Sequence, residues 1–430
     1  VFAQRRDQFL KSMGKDAVAI VVGHDVVRRS NDSDYPFRQS SDFHYLTGFD
    51  HPGAAAIFRT DGGPPFTLFV QPRDRSAETW NGYRPGLEGA KQDYDADAAF
   101  PIESLRDEFP KQVEKAARIY HTLGEASDLD RTLIDALDGL RQRSKLGFEP
   151  ASEIVDPRDI IHEMRLTKEP GEIEIMRRAA AITCTAHQEA ARICRDGRYE
   201  YELEAALGHT FRRLGGSGPA YTSIVGGGKN ATILHYVTND QKLNGGDLCL
   251  IDAGVELEGY ASDVTRTYPV GGRFEGAGRD VYEVVLAAQD AGLAACRPGN
   301  NLPDIHATTI RTLIEGMVSL GLLSGTVDDL FKSDAYREYY MHGTSHWLGL
   351  DVHDVGTYTI KGKARPLEPG MAFTMEPGIY VPLDDEKAPK HLRGIGVRIE
   401  DDVVVTRDGI ENLNEAIPKK PDDVEAWMRD

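Results

Sequence analysis

The sequence predicts a two-part molecule: an α/β domain over residues 1–166, then a larger domain over residues 167–430 in which long helices give way to strands. Three observations point there. Short apolar runs alternate with helical patterns up to Leu166. A helix-start signal at Thr167-Lys168-Glu169-Pro170-Gly171 then opens a different pattern, and from Tyr339 onward strand patterns dominate. A length of 430 residues suits two domains or one very large one.

In chain order, Phe2–Ser12 reads as a helix and Ala17–Gly23 as a buried strand. Ala54–Arg59, Phe66–Gln71 and Arg118–Leu123 read as further strands, and Asp130–Arg143 as a helix. No glycine-rich dinucleotide fingerprint follows any of these strands. Pro170 suits a first helical turn, where Glu172 and Glu174 complement the dipole. Ile173, Met176, Ala180, Thr183, His187, Ala190, Ala191 and Cys194 recur at spacings of three and four, one buried face closed by Asp196-Gly197. His187 on that stripe is expected to be a satisfied core histidine. Glu200–Leu214, Arg279–Arg297 and Pro303–Leu320 read as helices. Gly226-Gly227-Gly228-Lys229-Asn230 lacks the Lys-Ser/Thr pair of a phosphate loop.

Composition excludes several functions. A net charge of −19 argues against nucleic acid and anionic membranes, which need a basic face. No stretch approaches the roughly 20 apolar residues of a membrane span, and Val1–Lys15 lacks the apolar segment of a signal peptide. Cys184, Cys194, Cys249 and Cys296 show no CxxC spacing, as expected of reduced cysteines in a cytoplasmic protein.

The chemistry lies in misplaced acids. Asp252, Asp263, Glu376 and Glu400 sit in apolar, strand-like or glycine-flanked segments, where carboxylates are rare unless paired or bound to metal. A turn centred on Leu257-Glu258 would set Asp252 opposite Asp263, a repulsive pair that a cation would relieve. His342, His346 and His353 follow, without the HExxH pattern of zinc proteases. Four carboxylates and one imidazole, His346, suit manganese or cobalt better than structural zinc, and fit two ions better than one. Arg398, two residues before Glu400 on a strand, would orient a ligating carboxylate from behind.

The ordered set Asp252, Asp263, His346, Glu376 and Glu400 resembles the five-ligand site of the pita-bread metallopeptidases, which include methionine aminopeptidase, prolidase and aminopeptidase P. Ile233-Leu234-His235-Tyr236, Tyr340 through Gly356, and Arg393 through Asp402 look like bacterial aminopeptidase P. So do Tyr35-Pro36-Phe37-Arg38-Gln39, Ser41 through Phe49, and the tail with Glu411-Asn412-Leu413 and Lys419-Lys420-Pro421, so the likeness covers nearly the whole chain.

The resemblance implies an N-terminal α/β domain concerned with access and oligomerisation. It also implies an α+β catalytic domain whose two pseudo-twofold halves surround a curved antiparallel sheet. It implies two divalent cations, manganese first with cobalt or zinc as substitutes. Asp252 would be terminal on one, His346 and Glu376 on the other, and Asp263 and Glu400 shared. Glu376 would relay a proton, while His235, His342 and His353 would line the site and bind substrate. Arg398, with Tyr380 nearby, would orient Asp252, and Asp42, Trp80, Arg158 and Tyr380 would contact substrate. His44 and Tyr83 fall where preference is expected to vary.

The implied activity is removal of an N-terminal residue that precedes proline, by a cytoplasmic homodimer or homotetramer. Prolidase, cleaving only Xaa-Pro dipeptides, shares the ligands. A metal-free peptide-binding module and a two-metal phosphoester hydrolase are the readings from other classes.

Overall fold

The computed structural model describes residues 1–429, and the chain divides into two units, Val1–Met164 and a second that begins at Arg165. In the first unit, Ala17–Val22 supplies an unbroken apolar strand and therefore sits inside a sheet covered on both faces. It runs antiparallel to Ala55–Arg59 and parallel to Arg118–Tyr120. Phe66–Val70 and Ala98–Pro101 extend one side, and Glu153–Val155 the other, making a mixed six-stranded sheet. The helix Ser127–Gln142 lays Leu129, Leu133 and Leu137 into the core with Val18, Ile20, Ile57 and Phe69. It starts before the expected Asp130, with Asp128 and Asp130 in its first turn where the dipole favours acids.

The second unit repeats one plan twice. Helices Pro170–Ile193 and Glu200–Arg213 precede a three-stranded antiparallel sheet of Ile224–Gly227, Leu248–Asp252 and Thr265–Pro269. Helices Gly276–Ala295 and Leu302–Ser319 precede a second such sheet, of Ala372–Met375, Asp401–Val405 and Ile410–Asn412. The two halves meet where Glu400 N donates to Thr265 O at 3.0 Å and Thr267 Oγ1 to Arg398 O at 3.0 Å.

Pro170 opens its helix with a capping box between Glu169 and Glu172. His187 is fully buried as a satisfied core residue, with Tyr268 Oη 3.1 Å from Nδ1 and Ala253 O 3.0 Å from Nε2. Among the described residues no helix is long and apolar enough to cross a membrane.

One expected register is wrong. Leu257 pairs with Tyr260 and Asp252 with Thr265, so Asp252 and Asp263 are not directly opposed. The turn is Glu258-Gly259, both left-handed (φ 51° and 84°), as a two-residue hairpin requires. The strand is also interrupted at Gly254, where a Cβ would lie 1.6 Å from Ser262 O.

Candidate metal centre and active site

The acids nonetheless converge. Asp263, His346 and Glu400 each offer a ligand atom within 4.8 Å of the others. His346 Nε2 lies 3.4 Å from Asp263 and 3.5 Å from Glu376. Its Nδ1 donates to Trp347 O at 3.0 Å, which orients the ring and turns Nε2 toward the carboxylates. These residues and Asp252 line one cavity of about 600 Å³, together with His235, His342, His353, Tyr221 and Arg398.

Each acid is held from behind. Asp252 ends its strand with one oxygen taken by the Tyr221 hydroxyl and the other by Arg398. Arg398 also donates to Tyr380 Oη at 2.9 Å and Thr265 Oγ1 at 3.0 Å, and that threonine donates to Glu400 Oε2 at 2.6 Å. Thr374 Oγ1 donates to Glu376 Oε1 at 3.2 Å. The backbone N–H of Asp263 donates to Asp402 at 3.1 Å. Asp401, beside Glu400, is buried against Arg266 at 2.6 Å and Lys419 at 2.6 Å. Arg266 also donates to Glu400 O, tying down the backbone at that acid.

The electrostatics show an excess of negative charge. Burial, then the neighbouring Asp263 and Asp252, pushes the Glu376 carboxyl up to about 7, against the pull of His346 and Arg398. Burial and the other acids push Glu400 well above the usual range, and burial also raises Asp252 although Arg398 opposes it. Burial alone would lower His346, but Asp263 and Glu376 outweigh it and raise the imidazole to about 9. A divalent cation would oppose every one of these proton-retaining shifts. Clustered oxygen donors with a single imidazole nitrogen are the chemistry such an ion takes, so the residues present fit it.

Burial disfavours the charged form of His342 and of His353. Burial, then Arg398, lowers His342 to about 3. Its Nδ1 donates to Gly343 O at 2.8 Å and stands 3.4 Å from Glu376, while Tyr380 Oη donates to its Nε2 at 2.8 Å. Tyr380 is itself 1 % exposed and supports the cavity wall from behind. Burial, then His346, lowers His353, whose ring meets that of His346 edge-on at 4.2 Å.

The remaining expected residues lie in the first unit. Asp42 and Arg158 line a small cleft there. Asp42 Oδ2 is 3.1 Å from His162, and Arg158 pairs with Asp156. Trp80, on the helix Arg75–Asn81, is 84 % exposed.

Sequence reasoning missed Tyr221, Thr265, Asp402 and Asp354. Thr265 was within reach, because it shares alternation with Asp263 along one stretch. Asp354 anchors the loop bearing His346 and His353 through Arg165 and through Lys168 at 2.9 Å.

Comparison with known proteins places this geometry. Residues 174–407 match Metallopeptidase family M24, and residues 2–120 match the aminopeptidase P N-terminal domain. The chain belongs to metallopeptidase family M24. Within it the chain is similar to Xaa-Pro aminopeptidases. It is 42 % identical to that of Escherichia coli over 99 % of this chain and 97 % of the relative. It is 43 % identical to that of Haemophilus influenzae over 99 % and 96 %. A solved Pseudomonas aeruginosa aminopeptidase PepP superposes with a TM-score of 0.96 at 44 % identity, over 99 % of this chain and 97 % of that one. The expected fold, an N-terminal α/β domain before a pita-bread domain, is the one these relatives share.

Proposed function

We propose that this chain is an Xaa-Pro aminopeptidase, hydrolysing the bond between a peptide's N-terminal residue and a following proline. The full-length likeness to aminopeptidase P supports the specificity. The observation that carries the hydrolytic chemistry is the convergence of Asp252, Asp263, His346, Glu376 and Glu400 on one cavity of about 600 Å³. Those five residues are assigned as ligands of two divalent cations, manganese first and cobalt or zinc as substitutes. When bound, the cations would supply a lowered water pKa and polarisation of the scissile carbonyl.

The chain's own residues do the rest. Glu376 accepts the proton of the attacking water and returns it to the proline nitrogen as the C–N bond breaks. His342, held by Gly343 O and the Tyr380 hydroxyl, stands 3.4 Å from Glu376 and presents its ring to substrate. His235 and His353 contact substrate, and Leu234, Val237 and Val352 give the same cavity apolar wall for a proline ring. An Xaa-Pro bond has no amide N–H and a fixed proline φ, so a wall of apolar and imidazole groups suits it better than a strand-reading groove. Arg398 orients Asp252 and, through Tyr380, His342.

Asp42 is assigned to the free amine of the substrate, with Trp80 and Arg158 as further substrate contacts. The exposure of Trp80 supports its presentation to a second copy in a homodimer or homotetramer. Four unpaired cysteines support a reducing, cytoplasmic setting.

Cleavage of Arg-Pro-Pro and of Gly-Pro, each with manganese, tests the reading. Release of arginine from the tripeptide is expected. Activity confined to dipeptides would replace it with a dipeptidase.

A further inference from the structure

The loop that brings His235 to the cavity is fastened from beneath by a carboxylate that no step above uses. Glu200, the first residue of its helix, is 1 % exposed. Its Oε1 accepts from Gly227 N at 2.8 Å and Asn230 Nδ2 at 2.9 Å. Its Oε2 accepts from the Tyr236 hydroxyl at 2.8 Å and Gln241 N at 2.9 Å. One side chain thus gathers donors from both ends and the middle of the segment 227–241. Burial, then Glu200, raises the Tyr236 phenol to about 12, so it remains a donor throughout the neutral range.

A second carboxylate one turn along repeats the arrangement. Glu204 accepts from Asn239 Nδ2 at 3.0 Å. Asn239 is fully buried with φ 50°, donates to Ser223 O at 2.9 Å, and accepts from Val225 N at 3.0 Å. Residues four apart share a helix face, so one face of Glu200–Arg213 ties down the whole segment. The base is closely packed: a Cβ at Gly227 would lie 2.5 Å from the Leu243 side chain. The crown is open: Ile233 is 52 % exposed, and Leu234, His235 and Val237 face the cavity.

A buried carboxylate is costly unless its oxygens are satisfied. Here each oxygen has two donors, so the group is retained at the expense of fixing the loop.

We propose that Glu200 is a positioning residue for His235: its carboxylate fixes the loop so that the imidazole meets the substrate, and its loss lowers turnover through His235 rather than through the metal ligands. This rests on the assignment of His235 to substrate. It also commits the segment 227–241 to moving as one piece.

The test is a double-mutant cycle on the full chain with manganese and Arg-Pro-Pro, using Glu200→Gln, His235→Phe and both together. An amide at position 200 would turn an N–H₂ toward two donors. Glu200→Gln is expected to lower kcat/KM by up to about 100-fold with metal content unchanged. The double variant should fall no more than about twofold below His235→Phe. Multiplying effects, lost metal, or undiminished activity in Glu200→Gln would each overturn the proposal. If Glu200→Gln does not fold, Tyr236→Phe, which removes one donor, must show the same non-additivity with His235→Phe. If the wild-type protein cleaves no Xaa-Pro peptide, the functional reading fails by itself. The clamp is then judged by amide exchange over 227–241, where faster exchange in Glu200→Gln, or Tyr236→Phe, upholds it and unchanged exchange overturns it.

Discussion

Arg398 and Asp252 form a buried ion pair in which the guanidinium takes one carboxylate oxygen while Tyr221 takes the other. The remaining nitrogens of Arg398 are committed to Tyr380 and Thr265, so the side chain joins both ends of the cavity. A planar fork can meet three partners at once, and a lysine ammonium on a flexible stem cannot reproduce that geometry. Arg398→Lys is therefore expected to lose on the order of 10–100-fold in metal affinity or activity. Metal content after dialysis and kcat/KM on an Xaa-Pro tripeptide would show it; wild-type values for both would refute the orienting role.

Glu376→Gln keeps the shape of the side chain and removes its proton-accepting ability. A drop in kcat of about 10²–10⁴ is expected, with His346 still held by Trp347 O. A variant that binds manganese and turns over normally would assign the proton transfers elsewhere.

The acid cluster ties stability to pH in the chelated protein. Glu376 rises from 4.5 to about 7 on folding. A carboxyl with a raised folded pKa contributes stability that is complete below its unfolded value and is lost as pH climbs through the folded one. Without divalent ions, the Tm of wild type relative to Glu376→Gln, in which the opposing contribution of His187 cancels, should accordingly fall as pH rises from 4.5 to about 7. Added manganese should raise Tm more above that window than below it, because below it the ion must displace protons. A manganese shift that shrinks with rising pH would contradict the assignment.

Most of the acid cluster was legible because buried acids are anomalous: Asp252 and Glu400 stand in apolar runs where only a partner explains them. The hairpin between Asp252 and Asp263 was misread because Glu258 adopts a left-handed φ that its residue type seldom takes. The true pairing differs from the expected one by two positions, which preserves which face each side chain occupies. Both acids therefore reach one cavity despite the error. Glu200 was invisible for another reason. An acid opening a helix reads as an ordinary dipole partner, and its four donors lie 27 to 41 positions away.

His187 gives a stability effect independent of metal. Burial, partly offset by its bond to Ala253 O, lowers this imidazole from 6.5 to about 4. The unfolded chain then binds a proton that the folded one refuses, so stability is full above 6.5 and is lost as pH falls toward 4. That difference corresponds to about 3 kcal/mol. His187→Asn should be less stable than wild type at neutral pH, with the gap closing on acidification. Urea midpoints at a series of pH values would measure it, and a constant gap would mean the ring is not buried neutral.

Asp354 belongs to a buried charge cluster that sets the path of the loop carrying His346 and His353 without facing the cavity. It is buried against Arg165 and Lys168, and its backbone N–H donates to Trp347 O at 2.8 Å. Trp347 O is also the acceptor for His346 Nδ1, and Asp354 follows His353 directly, so one residue sets the path of both histidines. Gly349 must be small, because a Cβ there would lie 2.2 Å from Asp354 Oδ2. Asp354→Asn leaves two buried cations facing an amide, and removing one partner of a buried ion pair costs about 3–5 kcal/mol. The variant should lose that much in denaturant unfolding and lose activity while folded, since the loop relaxes with its anchor. Gly349→Ala, which keeps every charge, should lower activity as well. If both variants are destabilised yet fully active while folded, the cluster secures the fold alone and His353 is set by its own contacts.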